Sequence, residues 1–342
     1  MTIVGYVGTY TTGKSQGIYT FSFSEETSSF ISSNLFYEIL NPKYLCFAGT
    51  NNEYIAAVCD FPQSNIQNAD IPEPLCCGGS KSATEQNTKS GIVLLDKNGN
   101  CLSTLAYENT TSCYITYKNG IFYTANYHEG TLSAIKLEKD NSLKLLRKTL
   151  IREKAGCHQV LFYKDKILVP SLFLDKIIVL NESLEIESHI DFPANCGPRH
   201  GVFTSDYKYL FVVGELDNIV YTVDTSLMKI VSKTNILENE QTHLKDSAAI
   251  RLSKDEKTLY ISTRTLEVVS VFNVNEEKLE LVQYTTCEGK HPRDFEITEN
   301  TLFVANRLTN NISAISIEKN LLSNLTDTVY IPEAISIIIE SK

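Results

Sequence analysis

The chain has 342 residues, 42% of them hydrophobic, enough to bury a sizeable core and by length alone enough for two or three domains. Lys and Arg number 31 against 41 Asp and Glu, a formal net charge of −10, which argues against nucleic acid as a partner because phosphate-backbone binders carry basic surfaces. No apolar run approaches a membrane span, and the N-terminus lacks the basic and apolar regions of a secretory signal. The nine cysteines show neither a Cys-x-x-Cys pair nor zinc spacing, so the expectation is a cytoplasmic protein with reduced thiols, no metal and no cofactor.

Trp is absent while Tyr (18) and Phe (15) are plentiful, a bias toward strands. In chain order, a short apolar and aromatic run recurs as Tyr6-Val-Gly-Thr-Tyr10, Tyr54-Ile-Ala-Ala-Val58, Ile121-Phe-Tyr-Thr-Ala125, Lys166-Ile-Leu-Val-Pro170, Tyr209-Leu-Phe-Val-Val213, Leu259-Tyr-Ile-Ser-Thr263 and Leu302-Phe-Val-Ala-Asn306. The starts differ by 48, 67, 45, 43, 50 and 43 residues, a period that fits one four-stranded propeller blade. A second alternating run follows each copy, as in Lys176-Ile-Ile-Val-Leu180, and reads as a half-buried strand.

A third, shorter run precedes every copy but the first, for example His158-Gln-Val-Leu-Phe162, Pro198-Arg-His-Gly-Val-Phe203 and Pro292-Arg-Asp-Phe-Glu-Ile297. The missing one stands at the other end of the chain as Pro332-Glu-Ala-Ile-Ser-Ile-Ile338. Pairing it with the N-terminal strands completes one blade and removes two exposed sheet edges. The expected fold is therefore all-β: one domain over residues 1–342, a seven-bladed β-propeller closed by its N- and C-terminal strands. Even spacing argues against the alternative of two stacked β-sandwiches. The long second interval holds a polar loop, Asp60 to Ser90, with Pro62, Pro72, Pro74, Gly78 and Gly79. It leaves a second-strand exit, so it reads as an excursion or as a lid over the functional face.

Within a blade the innermost strand starts, and the second strand ends, at the same face of the ring. At those positions the chain places His158, Arg199, His200, His291 and Arg293 on innermost strands, and Asn126, His128, Glu215, Arg264, Asn306 and Arg307 at second-strand exits. Four of the six histidines and four arginines thus gather on one face of an acidic chain. Such a mouth predicts a small anionic ligand held by guanidinium groups.

Several segments carry a resemblance to a known family. Tyr6-Val-Gly-Thr-Tyr-Thr-Thr-Gly13 followed by Gly17-Ile-Tyr19 resembles the opening of the 6-phosphogluconolactonase family of seven-bladed propellers. Gly197-Pro-Arg-His200 and His291-Pro-Arg-Asp-Phe295 are similar to its most specific motifs. Weaker matches run in the same order along the chain: Asn126-Tyr-His-Glu-Gly130, Cys157-His-Gln-Val160, Gly214-Glu-Leu-Asp-Asn218 and Asp246-Ser-Ala-Ala-Ile250. The resemblance implies hydrolysis of 6-phospho-D-glucono-1,5-lactone to 6-phosphogluconate, in the oxidative pentose phosphate pathway. Fungal carboxymuconate cyclases share the fold, and the resemblance to them implies catalytic roles for His158, Arg199, Glu215 and Arg293, with Arg264 one blade earlier at the same face.

Lactone hydrolysis needs an aimed water, a base, and positive charge where the oxyanion develops. His158 and Glu215 are the base candidates, and Arg199 is the oxyanion candidate. Arg293, with His200 or His128, is expected to hold the phosphate, and Asn126, His291, Arg264 and Asn306 to complete the binding face. Cys157 beside His158 reads as a buried thiol rather than a nucleophile, since neighbours on a strand point to opposite faces. Glu215 has a second reading as a brace for Arg199 or Arg264. The alternatives to the phosphorylated lactone are another anionic lactone, the cycloisomerase direction, or a non-catalytic binding scaffold.

Overall fold

The computed structural model describes residues 1–62, 88–238 and 245–340. These residues form seven four-stranded antiparallel sheets, each built from strands in sequence order except one. That one, blade 1, is ordered Ala334–Ile339, Thr2–Thr9, Gly17–Ser24, Ser29–Glu38, so the last strand lies innermost beside the first. The expected closure is present, and the two or three domains suggested by length are replaced by one ring. Helix is confined to a single 3-10 turn at Leu172–Leu174 among the described residues. No helix there is long and apolar enough to cross a membrane.

The innermost strands of blades 2 to 7 are Leu40–Ala48, Tyr114–Lys118, Leu161–Tyr163, Pro198–Phe203, Ser247–Leu252 and Pro292–Ile297. The second strands are Tyr54–Pro62, Ile121–Asn126, Lys166–Ser171, Tyr209–Gly214, Thr258–Thr263 and Thr301–Asn306. The last three of these are buried at every residue. Third strands such as Lys176–Asn181 are buried on both faces through their middle, not half-buried as their alternation suggests. The reason is that each blade is sandwiched between two others, so both faces of its middle strands meet apolar neighbours. Alternation with solvent is clearest on the outermost strands, as in Lys229–Asn235.

Closure of the ring is packed like any other blade interface. Val7, Phe21, Phe23 and Ile337 of blade 1 meet Phe303, Ala305 and Ile312 of blade 7. The Phe23 and Phe303 rings stack edge to face with centroids 5.0 Å apart. Burying each such side chain contributes about 1.5–3 kcal/mol. Gly8 is required where blade 1 meets blade 2, because a Cβ there would sit 2.3 Å from Ser336 Oγ and 2.5 Å from the Pro42 carbonyl.

One irregularity positions the site. Pairing of innermost to second strand slips between Pro198 and Gly201, between Ser247 and Ile250, between Pro292 and Asp294, and between Leu40 and Tyr44. These bulges release Arg199, His200, Arg293 and Lys43 from the ladder at the strand starts, where side chains are re-aimed into the channel. In blade 4 regular pairing starts only at Leu161, later than the expected His158, which is held instead by its N–H to the Pro170 carbonyl at 3.0 Å. The polar insertion lies largely outside the described residues, and the lid reading with it. Its two roots, Asp60–Pro62 and Thr88–Ser90, prolong a strand pair.

Candidate active site

A narrow cavity opens at the channel mouth, walled by residues from six innermost strands or their leads: Lys43, Tyr44, Cys113, His158, Arg199, His200, Arg293, Asp294 and Ile335. Of the residues expected at this face, His158, Arg199, His200 and Arg293 line it.

His158 and His200 are hydrogen-bonded to each other, Nδ1 to Nε2 at 3.0 Å, and both are buried. Burial, reinforced by the charge of Arg199, holds both imidazoles well below the ordinary histidine range, so the pair is neutral. The neutral His200 is packed edge-on against Tyr44 and Tyr114, whose rings are 4.6 Å apart at their centroids. His200 lines the cavity, and its Nδ1 is buried without a hydrogen-bond partner among the described residues. With His158 Nδ1 engaged by His200, Nε2 is the His158 nitrogen left for chemistry.

Arg199 reaches across from blade 5 and donates through Nη1 to the Ala248 carbonyl at 2.6 Å. Its Nε lies 2.8 Å from Glu215 Oε2, an ion contact out of line for a hydrogen bond. Glu215 Oε1 meets Arg264 Nη2 at 2.9 Å, and Arg264 also donates to the Asp246 carbonyl. Glu215 is therefore clamped between two guanidiniums. Burial pushes Arg199 down to about 10 despite Glu215, still cationic at neutral pH. Gly197 makes the approach to this segment: its φ of +63° suits glycine, and a Cβ would lie 2.7 Å from the Leu216 side chain.

The remaining expected binding residues divide. Arg293 lines the cavity and pairs with no carboxylate among the described residues. Arg264 is buried and spent on Glu215. Asn126 and Asn306 are fully buried and do not reach the cavity. Asn126 donates to the Thr110 carbonyl and accepts from the His128 and Glu129 N–H groups, while Asn306 donates to the Cys287 carbonyl and Ser313 Oγ. Asn126 thus holds the turn at its second-strand exit, whereas Asn306 ties its strand end to the Cys287 segment and to Ser313. His291 is held near 4 by burial and the arginines around it, so it too is neutral, and His128 stays at the exposed rim.

The nucleophile reading of Cys157 finds no support, since the thiol is fully buried and pushed up to about 12 by that burial. The residues at strand starts did not single out Lys43, Tyr44, Cys113 and Ile335, which line the wall beside the expected Asp294. Asp294 is buried against Arg251 at 3.0 Å, and burial raises its carboxyl to about 6. Asp294 stands in the His-Pro-Arg-Asp motif, so it was visible; Lys43 sits in a bulge that leaves no mark on the apolar pattern. No cluster of His, Cys, Asp and Glu among the described residues is arranged to hold a metal ion.

Residues 4–339 match the family model described as lactonase, 7-bladed β-propeller. The chain belongs to the seven-bladed β-propeller lactonase family. Membership places it among lactone hydrolases, that is, carboxylic-ester hydrolases. A curated member, the 6-phosphogluconolactonase of Bacillus subtilis, is 28% identical over 362 aligned residues that take in 96% of each chain. A solved structure from Lactobacillus plantarum superposes on this lactonase with a TM-score of 0.85 at 24% identity, covering 100% of both chains. The periplasmic gluconolactonase of Pseudomonas aeruginosa does so with a TM-score of 0.82 at 18% identity, covering 100% of this chain and 99% of that one. These two likenesses speak for the fold alone.

Proposed function

We propose that this lactonase hydrolyses 6-phospho-D-glucono-1,5-lactone to 6-phosphogluconate, the second step of the oxidative pentose phosphate pathway, by direct attack of water. The observation that carries the reading is a neutral His158–His200 pair beside a buried, cationic Arg199 in the wall of one small cavity.

For His158 to act as base, its Nδ1–H must donate to His200 Nε2, leaving the lone pair on Nε2 of His158 for the water. Nε2 takes one water proton as the oxygen bonds to the lactone carbonyl carbon. Arg199 faces the negative charge that develops on the carbonyl oxygen. When the ring C–O bond breaks, the imidazolium returns that proton to the departing ring oxygen, so no covalent enzyme intermediate forms. Imidazolium formed here is destabilised by burial and by Arg199, which speeds the return of the proton. Glu215 is less suited as base because it is already committed to two guanidiniums; it acts on the reaction by holding Arg199 and Arg264 in place.

Purified protein assayed with the phosphorylated lactone and its unphosphorylated analogue tests the reading. Turnover of the phosphorylated form, abolished or cut by about 10²–10⁴ in His158→Ala, supports it. Failure of the wild type to hydrolyse either lactone overturns it.

A further inference from the structure

The mouth of the channel is divided by charge. On the side of blades 4 to 6, the histidines are neutral and both arginines share the counter-charge of Glu215. On the opposite side, blades 7, 1 and 2 bring three cations around one aromatic ring. Arg307 Cζ lies 4.5 Å from the Tyr10 ring centroid, Arg293 Cζ 5.5 Å and Lys43 Nζ 6.0 Å.

The four residues arrive from four separate segments of the chain. Tyr10 follows the first strand of blade 1 and donates its N–H to the Glu333 carbonyl; Arg307 follows the second strand of blade 7 and donates its N–H to the His291 carbonyl. Lys43 and Arg293 occupy bulges of the innermost strands. All four side chains are half-exposed, and none of the three cations forms an ion pair among the described residues. Among the described residues, the acids of the same rim are taken: Glu333 by Thr12 and Gly13, Asp60 by Asn41, Ser90 and Thr111, Asp294 by Arg251.

Three like charges around one ring repel one another. Cation–π contacts of about 0.5–1 kcal/mol at exposed sites hold such side chains without neutralising them. An anion of matching valence removes the repulsion. We propose that Lys43, Arg293 and Arg307, arrayed around Tyr10, are the seat of the substrate's phosphate ester. A phosphate carries close to two negative charges at neutral pH and three terminal oxygens, which suits two planar guanidiniums and one ammonium better than the two oxygens of a carboxylate do. Lys43 and Arg293 also wall the cavity that holds His158 and Arg199, so phosphate and reacting carbonyl share one space. The assignment rests on the lactonase reading and adds the element that selects the phosphorylated substrate.

Calorimetric titration of the wild type, Lys43→Ala and Arg307→Ala with 6-phosphogluconate and with gluconate tests it without requiring turnover. The wild type is expected to prefer 6-phosphogluconate, and each variant to lose about tenfold in affinity for it while its gluconate affinity stays the same. In kinetics, KM for the phosphorylated lactone rises and kcat holds. Arg307→Lys, which keeps the charge, restores part of the loss and serves if the alanine variant does not fold. No wild-type preference, or equal losses for both ligands, overturns the phosphate seat. A wild type that binds 6-phosphogluconate in this way yet hydrolyses no lactone sinks the functional reading and leaves the seat standing.

Discussion

At His158 the environment sets the chemistry. An exposed imidazole would lose its basic form as pH falls through about 6.5. Here the folded value is lowered well below that, so the neutral, base-competent form persists on the acid side of 6.5. The sign of the shift predicts a kcat/KM that stays flat as pH falls through 6.5 and declines only below it. A decline centred at 6.5 would remove His158 as the base. Glu215 makes a separate prediction. Glu215→Gln leaves Arg199 and Arg264 without their shared counter-charge, so turnover should drop by about tenfold or more while the acid limb of the pH profile keeps its position. A lost or displaced limb would show that the carboxylate itself takes the proton. Removing the oxyanion partner in Arg199→Ala is expected to cost about 10²–10³ in kcat, a fall to be read in the same assay.

At the scale of the strand, the site is a property of bulges and turn holders. Arg199, His200, Arg293 and Lys43 all sit where the innermost strand slips against its partner. The run Pro198-Arg-His-Gly-Val-Phe203 announces a strand and its polar start, but nothing in it says that Arg199 and His200 fall outside the ladder. That is decided by the pairing partner. For the same reason Asn126 and Asn306 read as binding residues from their position at second-strand exits, whereas Asn126 closes the turn there and Asn306 ties down the Cys287 segment. Asn126→Ala is expected to cost about 1–3 kcal/mol in urea denaturation, since the Thr110 carbonyl and two N–H groups lose their partner, with KM unchanged. An altered KM with unchanged stability would return Asn126 to the binding face.

Across the whole molecule, closure and charge distribution carry the function. The strand Ala334–Ile339 covers the edge of Thr2–Thr9 and contributes Ile335 to the cavity wall. A chain ended at Glu333 leaves that edge bare and opens the blade 7 interface, so it is expected to self-associate and to lose the cooperative unfolding of the intact ring. Size-exclusion chromatography and denaturation measure both, and a monomer of full stability would show the last strand to be dispensable. The formal net charge of −10 hides a mouth whose cations, among the described residues, are paired on one side and unpaired on the other.

Seven repeats of apolar runs, and a last strand with no partner of its own, were enough for the sequence to determine the ring and how it closes. Burying periodic apolar surface without leaving free sheet edges has few solutions. The motifs also marked the face on which His158, Arg199, Glu215 and Arg293 lie. Only the tertiary structure decided what each of them does there. Protonation and charge pairing depend on burial and on neighbours from other blades: His200 against His158, Arg264 against Glu215, Tyr10 between Lys43 and Arg307. Those neighbours are far apart along the chain, and no local pattern encodes their meeting.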